Sequence, residues 1–214
     1  MSKVFFSVGM TLDGFMAPDG MDLTHADDPN FNEWMEQWGE LQKWVGQQKF
    51  FRENLKLGDG GEIGRDNQIL EETFKRTGVS IMGKRMFDGG ERFWPEEAPF
   101  HTPVFVLTKQ VRDPWERPGG TTFYFVNDGI ESALRQAREV AGGRDIRIAG
   151  GANAIQQYLN AGLVDEFTVA LAPVFFGAGL RLFDGIDRRK VGLEIVEVIN
   201  SPLVTHLHYQ VTKK

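Results

Sequence analysis

The 214-residue sequence predicts an α/β protein with a central mixed sheet flanked by helices. Three observations carry this. Short runs rich in Val, Ile, Leu and Phe alternate with segments of helical periodicity. Several of those runs end in a glycine or a cation just before a helical segment, as strands of a parallel sheet do. The last two runs leave no room for a helix between them and break at Asn200-Ser201-Pro202, so they should close the sheet as an antiparallel hairpin.

The first strand is expected over Lys3–Gly9. Lys3 followed by Val4 to Leu12 superficially resembles a signal segment, but it closes at Asp13-Gly14 without a small-x-small cleavage site. A helix follows over Asn30–Val45. There Phe31, Trp34, Trp38, Leu41 and Val45 share one face, while Glu33, Glu36, Gln37, Glu40 and Lys43 take the other. The two tryptophans could stack a planar substrate, but aromatic stripes usually bury, so packing on a sheet or a second subunit is preferred. Gly58 to Gly64 is glycine-rich without G-x-G-x-x-G spacing or a preceding strand, and reads as a surface loop. Then come helix Asp66–Arg76, strands Val79–Met82, Pro103–Leu107 and Phe123–Val126, and helix Ile130–Ala141. Strand Asp145–Ile148 leads into helix Ala154–Ala161, and strands Glu166–Leu171, Leu193–Val198 and Thr205–Thr212 complete the chain.

Composition narrows the function classes. Charged residues make up 25% of the chain, which excludes wholesale disorder. The net charge of −6 argues against a general nucleic-acid binder. The absence of cysteine removes disulfides, thiolate nucleophiles and Cys-based zinc sites, and fits a cytoplasmic protein. The longest charge-free apolar stretch, Phe167 to Leu180, is broken by Pro173, Gly177 and Gly179 and falls short of the ~20 residues a spanning helix needs. His206 and His208 share a strand face without a third ligand at metal-site spacing, so a partly buried strand pair is preferred.

Three strand-to-helix turns are the informative feature. After Asp145–Ala149 comes Gly150-Gly151-Ala152-Asn153, where glycines let the backbone approach a phosphate and the opening N–H groups of a helix can point at it. After Val79–Met82 comes Gly83-Lys84-Arg85-Met86, and after Pro103–Leu107 come Thr108 and Lys109, with Arg112 nearby. One glycine turn and two cationic turns suit a dinucleotide with an extra phosphate on its adenosine ribose, favouring NADP over NAD.

These turns and the opening segment resemble the dihydrofolate reductase-like superfamily, most closely the reductase half of bacterial riboflavin-biosynthesis deaminase–reductases. The matching pieces are residues 7–17, 81–87, 103–108, 150–153, 162–166 and 173–179, in order along nearly the whole chain. Residues 21–77, roughly, stand apart as an insertion in a single reductase domain over 1–214.

The resemblance implies a small-molecule substrate, NADPH as hydride donor and a homodimer. It assigns Gly83 and Lys84 to the adenosine phosphates, Thr108 and Lys109 to the 2′-phosphate, and Gly150, Gly151, Ala152 and Asn153 to the pyrophosphate, with the neighbouring cation Arg85 also expected on the cofactor. Gly9, Met16 and Ala17 would hold the nicotinamide, with Asp13 beside it and the substrate. Lys84 stands where the family commonly carries arginine, Met86 where it carries threonine, and Ala149 where a glutamate often precedes the two glycines.

From the residues themselves, Asp13 reads equally as a substrate-orienting or proton-supplying carboxyl and as a turn aspartate ahead of Gly14. Phe93 and Trp94 could wall a substrate pocket or pack a loop. The preferred function is an NADPH-dependent reductase of a small heterocycle, resembling 5-amino-6-(5-phosphoribosylamino)uracil reductase. The alternatives are a non-catalytic or flavin-type ligand-binding protein on the same fold, or a true dihydrofolate reductase. The last would need a pterin-holding carboxylate on the first helix, where Glu33 and Glu36 fall on the polar face.

Overall fold

The computed structural model describes residues 2–213, with side chains to 212. Among these, β1 (Val4–Thr11), β3 (Thr77–Gly83), β4 (Val104–Leu107), β6 (Thr121–Val126), β7 (Asp145–Gly150) and β8 (Glu166–Ala172) run parallel in the order β8-β1-β7-β3-β4-β6. Antiparallel strands flank this block. β5 (Trp115–Arg117) pairs with β6, while β10 (Val191–Asn200) and β11 (Thr205–Lys213) form a hairpin laid on β8. The expected mixed sheet and C-terminal hairpin are therefore present. A separate two-stranded sheet joins β2 (Phe15–Pro18) to β9 (Gly179–Arg181).

Residue alternation assigns the two faces. Val4 and Phe6, Val79 and Ile81, and Ile146 and Ile148 point to one side, under α6 (Ile130–Val140) and α7 (Ala152–Asn160). There Ala133, Leu134, Ile155 and Leu159 fill the layer, and the buried Tyr158 hydroxyl donates to the Ile130 carbonyl at 2.8 Å. The opposite side is covered in two patches. α5 (Lys84–Glu91) places Phe87 among Met82, Val106 and Phe123. α1 (Phe31–Leu41) and α2 (Lys43–Gly46) set Leu41, Trp44 and Val45 against Ala170 and Ala172. α3 (Lys49–Asn54) and α4 (Arg65–Arg76) complete this layer, so the segment expected as an insertion supplies α1 to α4.

Several elements differ from expectation. The helix expected over Asn30–Val45 divides at Gln42, and the break turns Trp44 and Val45 toward β8 while Trp34 stays buried on α1. α5 follows β3 where only a turn was expected, because Gly89-Gly90 depresses helix propensity. Both glycines admit packing partners: an added Cβ would lie 3.1 Å from Leu23 at Gly89 and 2.2 Å from the Trp94 ring at Gly90. β2, β5 and β9 are too short to announce themselves by alternation, and β9 needs Gly179, whose added Cβ would sit 2.2 Å from the Ala17 carbonyl oxygen. The Gly58–Gly64 segment is an exposed loop, as expected, bridged at Glu62 to Gln48.

At the amino ends of the strands an ionic network closes the sheet. Arg76 pairs with Asp145 at 2.7 Å and Glu166 at 2.8 Å, lies 4.0 Å over the Phe5 ring, and shares Glu166 with Lys3. Desolvation pushes Glu166 up, but the bonds from Lys3 and Arg76 outweigh it and hold the carboxyl below its ordinary value. Elsewhere, buried His206 bonds Asp66 at 2.8 Å across to α4, and His208 faces Glu166 at 3.8 Å. No group of three or more potential metal ligands occurs among the described residues, and no described helix is long and apolar enough to cross a membrane.

Candidate cofactor and substrate cleft

The carboxyl ends of the parallel strands open onto one cleft of 1510 Å³. Three helices begin on its rim. Gly83 leads β3 into α5, Gly129 leads from β6 into α6, and Gly151 leads β7 into α7. All three N-caps are glycine, and among the described residues no side chain bonds the opening N–H groups of any of them. Those groups can therefore be satisfied only by solvent or by a bound acceptor. Gly150 has φ +128°, a region costly for any residue with a Cβ, and the Gly150–Gly151 peptide is cis. An added Cβ at Gly83 would lie 3.9 Å from the Gly150 carbonyl oxygen, so the two glycine turns are neighbours on the rim.

The expected cofactor residues meet here. Gly83, Lys84 and Arg85 line the cleft from α5, and Thr108 and Lys109 from the end of β4. Gly150, Gly151, Ala152 and Asn153 line it from β7 and α7, and Gly9, Met16 and Ala17 from β1 and β2. Phe93 and Trp94 form part of the wall. Phe93 is exposed, whereas Trp94 stacks on Phe123 at 5.3 Å and abuts Phe100.

Their charges are not equally available. The Lys84 ammonium pairs with Asp88 one turn along α5 at 2.5 Å, and the Arg85 guanidinium bonds the Met21 carbonyl. Arg112 is spent on Glu91 at 2.9 Å and on the Phe125 ring. Lys109 is exposed and has no ion-pair partner among the described residues.

Asp13 lies outside the set of cleft-lining residues. Its carboxylate accepts the Thr11 hydroxyl at 2.5 Å and the Gly177 N–H at 2.7 Å, with Phe176 N–H at 3.2 Å. Desolvation works to raise its pKa, but these bonds from Thr11, Gly177 and Phe176 prevail and hold it below the ordinary carboxylate value. The group ties the β1–β2 turn to the segment preceding β9, which is the work of the turn aspartate in the sequence reading.

Two features of the cleft escaped the sequence reading. The Asn127-Asp128-Gly129 turn follows a strand and opens a helix just as the recognised turns do, so the same rule finds it. Arg147 is the other. Strand alternation of Asp145 and Arg147 against Ile146 and Ile148 suggests a solvent face, but α4 covers it and places Phe74 5.1 Å from the guanidinium. Among the cleft-lining residues five are basic (Lys43, Lys84, Arg85, Lys109 and Arg147) and one is acidic (Asp19), in a chain of net charge −6. Glu33 and Glu36 are exposed and line no part of the cleft.

Comparison with known families decides the relationship. The RibD C-terminal domain matches residues 2–207. The chain belongs to this family. As a RibD C-terminal domain protein it is reductase-like, and the expected dihydrofolate reductase-like fold is found in solved structures. A protein assigned to riboflavin biosynthesis in Shewanella sp. PV-4 superposes with a TM-score of 0.66 at 19% identity, with 100% of each chain covered. The deaminase/5-amino-6-(5-phosphoribosylamino)uracil reductase of Thermotoga maritima gives 0.57 at 14% identity, over 99% of this chain and 57% of the other. Dihydrofolate reductase from Enterococcus faecalis, complexed with NADP(H) and RAB-propyl, gives 0.54 at 12% identity, over 99% and 97%. In sequence, the chain is 38% identical over 72 residues to the uncharacterized protein YyaP of Bacillus subtilis (strain 168), 34% of this chain and 37% of that one. The RibD C-terminal domain protein thus matches only about a third of that relative's length.

Proposed function

We propose that this RibD C-terminal domain protein is an NADPH-dependent reductase of a small planar heterocycle. The single observation that supports this most is the convergence of three glycine-capped, side-chain-free helix N-termini with Lys109 and Lys84 on one rim. The residues suit a dinucleotide. The N–H groups opening α7, beside Gly150, would receive the pyrophosphate, because they are unsatisfied and carry the positive end of the helix dipole. Lys109, with the Thr108 hydroxyl, would take the 2′-phosphate, and Lys84 would add to it by sharing its ammonium with Asp88. Gly9, Met16 and Ala17 would hold the nicotinamide ring, with Phe93 and Trp94 walling the substrate.

When bound, NADPH supplies a hydride to an electrophilic substrate carbon, and a proton is taken up at the adjacent heteroatom. The chain's own residues orient and dry the reacting groups under α1 to α4. Asp13 is not assigned the proton, because its carboxylate is held by Thr11, Phe176 and Gly177 and does not line the cleft. The absence of Glu33 and Glu36 from the lining weighs against dihydrofolate as substrate.

The test is differential stabilisation. NADPH at 100 times its dissociation constant should add ~2.7 kcal/mol of stability, visible as a rise in melting temperature. NADH at the same concentration should do far less. No rise with either cofactor would leave the ligand-binding alternative in its place.

The homodimer belongs to the same proposal. β10 forms one edge of the large sheet, and its Leu193, Ile195, Val196 and Val198 are 50 to 68% exposed. An apolar edge strand of this length is a template for a second copy. Light scattering should give twice the chain mass, and Ile195→Lys should return it to the monomer.

A further inference from the structure

Two non-glycine residues among those described have left-handed backbone, Lys56 at φ +54° and His101 at φ +51°. Lys56 follows the end of α3, where helices commonly turn left-handed. His101 ends no helix. Histidine tolerates this region better than most residues, but at a cost that its contacts must offset. Both side chains converge on one carboxylate, Glu97, at 3.1 Å from the Lys56 ammonium and 3.7 Å from the His101 ring.

The hydrogen bonds of the ring specify its protonation. Nδ1 lies 3.1 Å from the Gly119 carbonyl oxygen, and Nε2 lies 2.8 Å from Asn54 Oδ1. The Asn54 amide has one orientation, because its Nδ2 donates to the Pro99 carbonyl at 2.8 Å. Both ring nitrogens therefore face acceptors, and only the imidazolium donates to both. A neutral ring would set one lone pair against an oxygen. Of the charged groups around it, Glu97 favours the cationic ring and Lys56 opposes it. Arg117 of β5 is turned to the Pro95 and Glu96 carbonyls, both at 2.9 Å. From β6, Thr121 contributes a neutral hydroxyl that accepts the His101 N–H at 3.0 Å.

The ring joins two walls of the cleft without lining it. Phe51, Asn54 and Leu55 line one side, and Pro99 and Phe100 line the other. We infer that His101 is a proton-operated latch, whose imidazolium ties α3 to the Pro99–Phe100 segment and whose deprotonation frees that end of the cleft. The latch is independent of what the cleft binds, so it stands apart from the reductase reading. Its side chain is 41% exposed, so solvent screens the contact and the effect is modest.

Hydrogen exchange of the full chain without ligand, from about pH 5 to about pH 9 and corrected for intrinsic rates, tests this. The ring signals of His101 are followed by NMR in the same samples. The amides of Leu55, Lys56 and His101 are hydrogen-bonded in the closed form. They should exchange about threefold faster once the ring has lost its proton, in step with its signals, while those of β1 and β7 do not change. Closing and protonation favour each other, so protection is present at low pH and lost as pH rises. His101→Asn keeps a residue that tolerates left-handed backbone but does not titrate, so the step should vanish. Exchange that is unchanged across the titration of the ring, equal acceleration in β1 and β7, or a step that survives His101→Asn overturns the inference. Poor folding of His101→Asn leaves the wild-type comparison to decide it, because the ring signals and the exchange rates come from one sample.

Discussion

The two ends of the parallel strands treat charge in opposite ways. At the amino ends, Arg76 is matched by Asp145 and Glu166, stacked on Phe5 and reinforced by Lys3. At the carboxyl ends the helix N-termini have glycine caps with no side-chain bond, and below them Arg147 has an aromatic ring but no carboxylate among the described residues. Arg76 is the last residue of α4 and Arg147 lies on β7 beneath that helix, and both are half-buried, so burial alone does not distinguish them. One end is completed by the chain itself and serves the fold; the other, on the proposed reading, is completed by the cofactor and substrate.

The contrast can be broken most forcefully at Arg76. Arg76→Ala leaves Glu166, whose side chain is 9% exposed, with Lys3 as its remaining charge partner and removes the guanidinium from Asp145, and should cost about 2–3 kcal/mol in urea unfolding at neutral pH. The sign of the pH effect follows from Glu166, whose folded-state pKa is lowered. Its contribution is present above the unfolded carboxyl value and is lost as pH falls through the folded value. The gap between wild type and variant should therefore close toward acid pH.

At the other end, Gly150→Ala forces a side chain into φ +128° and to 3.2 Å from the Met86 sulfur. It should cost about 2 kcal/mol, read as weaker NADPH binding alongside lower stability. Asp13→Asn should cost about 1–2 kcal/mol, because the bonds from Thr11 and Gly177 favour the ionised acceptor. It should leave turnover nearly unchanged per folded molecule; a collapse of the catalytic rate constant would return Asp13 to the reaction. Arg147→Met, in contrast to Arg76→Ala, should raise the melting temperature of the ligand-free protein. The smallest effect sharpens the rim. Lys109→Ala should weaken NADPH by about tenfold and Lys84→Ala by less, because Asp88 already engages Lys84.

Much of the rim was legible because the feature that builds it is local. Gly83-Lys84 and Gly150-Gly151 each follow a recognisable strand, and a strand followed by glycine and a helix places that glycine at the ligand edge. Gly129 obeys the same rule. The cleft floor was not legible, since whether Arg147 faces water or a covering helix depends on where α4 packs, and strand periodicity carries no word of that. Asp13 illustrates the converse: its partners at Phe176 and Gly177 lie more than 160 positions away, so its turn chemistry was visible while its anchoring was not. α5 was hidden by Gly89-Gly90, which local propensity counts against a helix and the packing of Leu23 and Trp94 requires.

The glycine caps have one further consequence. A grip made by main-chain N–H groups contains nothing that replacing a side chain can delete. Alanine scanning along the openings of α5, α6 and α7 would therefore pass over the strongest contacts and credit the nearby lysines with more than their share. Only changes that bend the peptide path would expose them, and the side chains at positions such as Asn153 are correspondingly free to drift while the grip persists.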